Sequence, residues 1–288
     1  MNYNKMDGML VLEVVDSNPN GDPDYLGNPR QRDNGIGEIS PVSVKRKYRD
    51  MLEYKENNYI WEKVGERLNP EKFEILESKQ NNDRARIRKI VEKDTQGFLD
   101  MFWDARLFGN TFLEKGISGH ERSGALHLGL GLSVAPVEIR KLSLTKKMNA
   151  QEGKGSGFAP DAYSVVPYGI YTIPVYFSPQ QAKANGCTDD DVDMFLKLTP
   201  YIYNHSRSLI RTHVNILHAH MAFHHDKIGS FNPYTLLDKL RPTLIEGCDG
   251  SAIADYNIPT WDSIKNQFSG VAEYIDAAIL PYELQNAA

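Results

Sequence analysis

The sequence predicts an α+β fold of the ferredoxin-like kind, a βαββαβ unit carrying insertions. Three observations point there: a β-branched apolar run at Met9 to Val15, an amphipathic helix signal from Pro41, and two later strand signals separated by a long polar excursion. Such a fold is reused for many functions, RNA binding on its open sheet face among them, so fold alone decides nothing.

The first strand is interrupted only by Glu13 and leads into Asp16-Ser-Asn-Pro-Asn-Gly-Asp-Pro-Asp24, too rich in turn residues to be helix or strand. Ser40 is a good N-cap and Pro41 suits the first helical position, which places a helix from Pro41 to about Tyr54. On it Val44, Tyr48 and Met51/Leu52 recur at helical spacing and should face the core, while Lys45 and Arg49 share a neighbouring face. Residues 57–92 are polar and mixed in charge and read as an inserted helical or irregular unit. Thr95 to Phe108 reads as one amphipathic helix, with Phe98, Leu99, Phe102 and Trp103 in its stripe and Gly109 as its stop.

Leu126 to Val137 alternates and carries glycines, which favours a strand with a bulge. Val165 to Phe177 is the clearest strand signal, and its Pro167 and Pro174 suggest an edge or a bulge. Between them Glu138 to Ser164 starts basic and becomes glycine-rich, the pattern of a projecting arm or β-hairpin. After Thr188, an N-cap followed by three acids, a helix is expected to about Ser208, then a strand at His218 to His225 and a helical segment at Pro233 to Leu240.

With 288 residues and 41% hydrophobic content, the chain can bury a substantial core in one large domain or about two ordinary ones. No apolar run approaches the ~20 residues of a membrane span, and the N-terminus lacks the order of a signal peptide, so the cytoplasm is the expected location, without a membrane partner. Cys187 and Cys248 are far apart in sequence and read as reduced bystanders. A net charge of −5 excludes a protein that coats polyanions with its whole surface. Only local patches could bind them: Lys45 to Arg49, Arg84-Ala-Arg86-Ile-Arg88-Lys89, and Arg140-Lys141 with Lys146-Lys147.

The helix opening after the loop presents free N–H groups and a positive dipole end, and Lys45, Arg46 and Arg49 add charge suited to phosphate. Arg106 reads either as a salt-bridge partner or as an RNA-backbone contact, and Arg122, in a polar glycine-flanked loop, either binds an anion or merely turns; both are kept as RNA-binding candidates. Asp16, Asp22 and Asp24 could hold a divalent ion or act as a base, but aspartates in such turns more simply cap their own backbone. His218, His220 and His224 would share one strand face, yet the segment from His213 to His225 holds no cysteine and the acid beside it is Asp226, so half-buried or RNA-stacking histidines are the simpler reading. No P-loop, GxSxG or HExxH motif is present. No catalytic residue, cofactor or metal is expected.

In this order and spacing NPNGDPD after a first strand, the KRKYR helix, FWDARLFGN, SVAPVEIRKLSLTKK and VVPYGIY resemble the Cas-seven backbone subunits of CRISPR type I Cascade complexes, particularly the Csd-two and Csh-two branches, most simply of type I-C or I-B. The resemblance spans roughly Met9 to Pro242. It implies a non-catalytic protein with an RRM-like palm at 1–242, a finger or helical insertion at about 57–92, a thumb at about 139–164 and a C-terminal extension at 243–288 packing on the palm. Copies would stack along a guide RNA (crRNA), each thumb pinning a nucleotide on the neighbouring copy, with target DNA engaged through guide pairing and with the crRNA 5′-end subunit and the large subunit at the ends. Lys45, Arg46 and Arg49 would take phosphates, Asn18 and Asn20 would line the RNA path, and Lys146, Lys147 and Met148 would lie on the thumb. Two other functions share the fold: a type III-like RNA-cleaving subunit using Asp22 or Asp24, and a guide-processing endonuclease with His218 as base.

Overall fold

A computed structural model of the chain describes residues 2–53, 58–78, 87, 89, 92–110, 122–147 and 158–279. The elements that build the main sheet and its cover are, in chain order, β1 (Met6–Ser17), β2 (Ile36–Ile39), α1 (Pro41–Glu53), α2 (Tyr59–Val64), α3 (Thr95–Met101), α4 (Trp103–Phe108), β3 (Leu126–Leu128) and β4 (Gly131–Pro136). They continue with β5 (Arg140–Lys147), β6 (Phe158–Phe177), α5 (Pro179–Asn185), α6 (Asp189–Leu198), β7 (His213–His224), α7 (Pro233–Leu240) and β8 (Val271–Asp276). Among the described residues these eight strands form one antiparallel sheet in the order β8-β7-β1-β6-β4-β2, with β3 and β5 also laddered on β6. The protein is therefore a mixed α/β structure built on a large antiparallel sheet.

The apolar run of β1 is nearly continuous because both faces of its strand are covered. Leu10, Leu12 and Val14 pack beneath α1, α4 and α6 with Val44, Tyr48, Trp103 and Phe195. Met9 and Val11 point the other way, into a second cluster with Ile170, Ala222, Leu236, Tyr256, Ile264 and Phe268. Each such aliphatic side chain contributes about 1.5–3 kcal/mol by leaving water. The second face of the sheet is thus closed at its centre by residues C-terminal to β7, and the open sheet face on which many folds of this class bind RNA is not available there.

Two helices differ from the sequence reading, and one strand decides between the alternatives it left open. The helix expected over Thr95 to Phe108 is two, because Phe102 adopts an extended backbone (φ −108°, ψ 103°). There the chain bridges to Glu74, whose N–H donates to the Met101 carbonyl at 3.0 Å and whose carbonyl accepts the Trp103 N–H at 3.1 Å. Of the two readings open for Pro167 and Pro174, an edge or a bulge, the edge is excluded, since β6 lies inside the sheet, while the pairing register of β6 shifts by one residue between β3 and β4, across Pro174. The Pro174 carbonyl accepts the Gly129 N–H at 2.8 Å, so its hydrogen-free nitrogen faces the break between β3 and β4, where no ladder bond is lost. Pro167 lies across from Asp16, which is skipped in the β1–β6 register and has a positive φ of 41°. The helix expected from Thr188 to Ser208 ends at Leu198, and short 3-10 turns carry the chain past Pro200.

β6 outruns its neighbour. Its C-terminal part pairs with β1 as far as Val166, opposite Ser17, and its N-terminal part, Phe158–Val165, pairs with β5 from Lys147 back to Arg140. A hairpin therefore leaves the sheet at the same end where β1 turns into the Asn18 loop.

Candidate nucleic-acid interface

The site begins with a chain of caps. Asn20 Oδ1 accepts both the N–H and the hydroxyl of Ser40, at 2.9 and 2.8 Å, and Ser40 Oγ accepts the Ser43 N–H at 3.2 Å. The loop after β1 is thereby fastened to the first turn of α1, which sets the direction of every cation on that helix. Asp22 shapes the loop as well: it accepts the Asp24 N–H at 3.0 Å and faces Arg30 at 3.7 Å.

The five residues Lys45 to Arg49 do not form one surface. Lys45 leans on α4, its Nζ donating to the Phe108 carbonyl at 3.4 Å and lying 5.3 Å from that ring centre. Burial, and then the Arg49 charge, lower its pKa. Arg49 donates from Nε to Asp104 at 2.9 Å and pairs with Glu77 at 2.5 Å. Asp104 also accepts the Leu76 N–H at 2.7 Å, so Arg49 clamps the insertion to α1. Arg46 pairs with Asp50 and Glu53 and reaches Ser78 at 3.3 Å; burial alone would lower its pKa, and the two carboxylates outweigh that and raise it.

Lys47 is different. It is 4% exposed, and its ammonium lies 5.0 Å from the Tyr203 ring centre. Burial, then the charge of Arg211, push its pKa down to about 8, with Asp50 opposing weakly. Among the described residues neither Lys47 nor Arg211 has a carboxylate at ion-pair distance. Arg211 donates from Nε to the Asn18 carbonyl at 3.1 Å. Asn18 itself is fixed by its N–H to the Ile210 carbonyl at 2.6 Å and by Nδ2 to the Gly27 carbonyl at 2.8 Å. Its Oδ1 and the Tyr203 hydroxyl are buried without a hydrogen-bond partner among the described residues. The structure thus joins Lys47, Tyr203 and Arg211 beside Asn18 at the end of β1, where the two cations and the tyrosine hydroxyl favour an anion and the Asn18 Oδ1, an acceptor, suits a donor.

Of the two readings of Arg106, salt-bridge partner and RNA contact, the structure favours the first. Its side chain is 4% exposed, and all five of its N–H groups are engaged: two on the Asp191 carboxylate at 2.9 and 2.6 Å, and three on the carbonyls of Leu99, Asp100 and Lys72, each at 2.7 Å. Arg122 is half-buried and lies across from Asn110 in a two-residue ladder, its N–H donating to Asn110 Oδ1 at 2.9 Å. Lys146 and Lys147 stand opposite Ala159 and Phe158 near the far end of the hairpin; Met148, like Arg84, Arg86 and Arg88 of the second basic patch, lies outside the described residues.

The family model of CRISPR-associated protein Cas7 matches residues 4–260. The chain belongs to the Cas7 family. Its fold is similar to that of a chain in a CRISPR RNA-guided surveillance complex, pre-nicking, at a TM-score of 0.50 and 15% identity, covering 91% of this chain and 86% of that one. A chain of a further CRISPR RNA-guided surveillance complex is 16% identical over 80% of this chain and 73% of its own, at a TM-score of 0.43. No curated protein matches the sequence. Within this Cas7 chain no described helix is long and apolar enough to cross a membrane.

Sequence reasoning did not place Lys47 and Arg211 together in the candidate site. A signal for Lys47 was present: it falls at helical spacing between Val44 and Met51, a cation on the stripe assigned to the core. Arg211 has no local signal, since it reaches Asn18 only through the pairing of β7 with β1.

Proposed function

We propose that this Cas7 chain is a non-catalytic guide-RNA-binding backbone subunit of a CRISPR type I Cascade complex, whose copies line up along the crRNA and present guide segments for pairing with target DNA. The observation that carries this reading is the family match over residues 4–260. The order β7-β1-β6-β4 with α1 after β1 and α6 after β6 supports a ferredoxin-like palm, since a βαββαβ unit gives that 4-1-3-2 order. Residues 1–242 would be that palm with its insertions, and 243–288 the extension on it.

Phosphates would lie along Lys47 and Arg211, with Asn18 lining the path, Lys45 on the adjoining side of α1 and Arg46 able to exchange its carboxylates for RNA at the exposed edge. Asn20 shapes the path through Ser40. Residues 139–164, of which the β5–β6 ladder is the described part, would be the thumb that reaches the neighbouring copy, carrying Lys146, Lys147 and Met148 to its guide. Few cations per copy suffice, because affinity accumulates along the filament, and base pairing rather than protein contacts reads the sequence. The end-capping Cascade subunits would complete the complex in the cytoplasm.

Protein recovered from its native cells should carry RNA of uniform length composed of CRISPR repeat and spacer; RNA-free protein or random fragments would overturn the reading. Given complementary RNA and Mg²⁺, the assembled complex should leave that RNA intact. Periodic cleavage lost in Asp22→Ala or Asp24→Ala would make it a nuclease instead.

A further inference from the structure

We propose that His218, His220 and Asp276 form a binding site for a borderline divalent ion of the zinc kind, which ties β8, the last strand of the sheet, to β7. One potential ligand atom from each residue lies within 4.8 Å of the other two. The site is independent of the guide-binding reading.

The strand geometry brings the three together. His218 and His220 are two apart on β7 and share a face, and β8 pairs with β7 so that Asp276 stands opposite His220. This supplies the acid that the sequence around the histidines lacks. Asp276 is aimed: its Oδ1 accepts the Ala219 N–H at 2.8 Å and the Ala278 N–H at 3.1 Å, which leaves Oδ2 to face His218 Nδ1 at 2.7 Å.

His220 is fully buried, and its Nδ1 lies 2.6 Å from the Tyr274 hydroxyl, which fixes the ring. Tyr274 is itself held by stacking on Trp261, with centres 4.5 Å apart and planes at 9°. His220 Nε2 is buried without a hydrogen-bond partner among the described residues, an arrangement that is costly unless something binds there. A metal ion would remove that cost. One ring nitrogen on an ordered partner and the other free is the pattern around metal-ligating histidine.

The distances are compatible with an ion. Around a tetrahedral zinc with bonds of about 2.0–2.1 Å, neighbouring donor atoms are about 3.3–3.4 Å apart. The His218–Asp276 separation of 2.7 Å must open by roughly 0.6 Å, which the partly exposed His218 side chain allows. Two imidazoles and one carboxylate favour zinc, cobalt or nickel over calcium and magnesium, which take oxygen ligands, and the absence of thiolate from the set disfavours copper(I). Three protein ligands leave one position for water. His224 belongs to a different arrangement, with Nε2 on Asp7 at 2.7 Å and Nδ1 accepting the Ser230 N–H at 2.7 Å.

The test is a titration of the chelator-stripped full chain with Co²⁺ and then Zn²⁺. One equivalent of Co²⁺ should bind with the intense visible absorption of a four- or five-coordinate site and without thiolate charge transfer; Zn²⁺ should displace it and raise the Tm. Tyr274→Phe should weaken Zn²⁺ binding by about 10- to 100-fold, and His218→Ala by more. His213→Ala, an exposed histidine on the same strand, should bind as the parent does. Circular dichroism establishes that each variant is folded. A folded His218→Ala that binds as tightly as the parent, or a parent that takes up no Co²⁺ or shows only a weak octahedral spectrum, overturns the proposal.

Discussion

On the side of α1 that faces α4 and the insertion, Arg46 and Arg49 meet Asp50, Glu53, Glu77 and Asp104, and Arg106 beyond them closes on Asp191. On the side that faces the end of β1, Lys47 and Arg211 repel one another with no described carboxylate at ion-pair distance of either, Asp50 opposing only from farther off. The residue types are alike and their states are opposite. Cations matched by carboxylates hold the insertion and α6 in place. Cations left with another cation destabilise the free protein and gain only when an outside anion arrives.

The largest effect should come from the matched side. Arg106→Met leaves Asp191 buried without its main partner and should lower the free energy of unfolding by about 3–5 kcal/mol, read from urea melts. RNA affinity per folded molecule should not change. If Arg106→Met is as stable as the parent, the distinction between the two sides fails.

On the unmatched side the sign reverses. Lys47 titrates at about 8 in the fold and near 10.5 when unfolded, so between those values the unfolded chain holds a proton that the folded chain has released. Stability should therefore rise with pH through that window. Below it the buried charge costs up to about 3 kcal/mol, so Lys47→Met should be more stable than the parent at pH 7 and should lack the rise. A parent whose stability is flat from pH 8 to 10.5 contradicts this. RNA binding should weaken above pH 8 in the parent, as Lys47 loses its charge, and not in Lys47→Met.

The smallest effect sharpens the role of the loop. Asn20→Ala removes two hydrogen bonds to Ser40 and should cost about 1 kcal/mol, with a modest loss of RNA affinity as α1 loosens at its first turn. A loss of RNA binding with unchanged stability would instead make Asn20 a direct contact.

Much of this architecture is written locally in the chain. The strand at β1, the Ser40 cap and the core stripe Val44, Tyr48 and Met51 follow from spacing and residue type. What escaped depends on partners distant in sequence. The break at Phe102 is imposed by Glu74, and the prolines of β6 sit inside the sheet because neighbouring strands lapse opposite them. The KRKYR run announces five consecutive residues, four of them basic, but which cations are free is decided by Glu77 and Asp104 on one side and by Arg211 on the other. Likewise Asp276 reaches the histidines only through a strand pairing.

The most direct test of the central claim is the salt dependence of binding between the full chain and a repeat-derived RNA, compared for the parent, Lys47→Met, Arg211→Gln and Arg49→Gln. Lys47→Met and Arg211→Gln should each weaken binding and lower the slope of log K against log salt by about 0.7, the value for one lost contact to a single strand, while Arg49→Gln keeps the parent slope. Parent-like affinity and slope in both Lys47→Met and Arg211→Gln would contradict the assignment of this cation pair to the guide RNA.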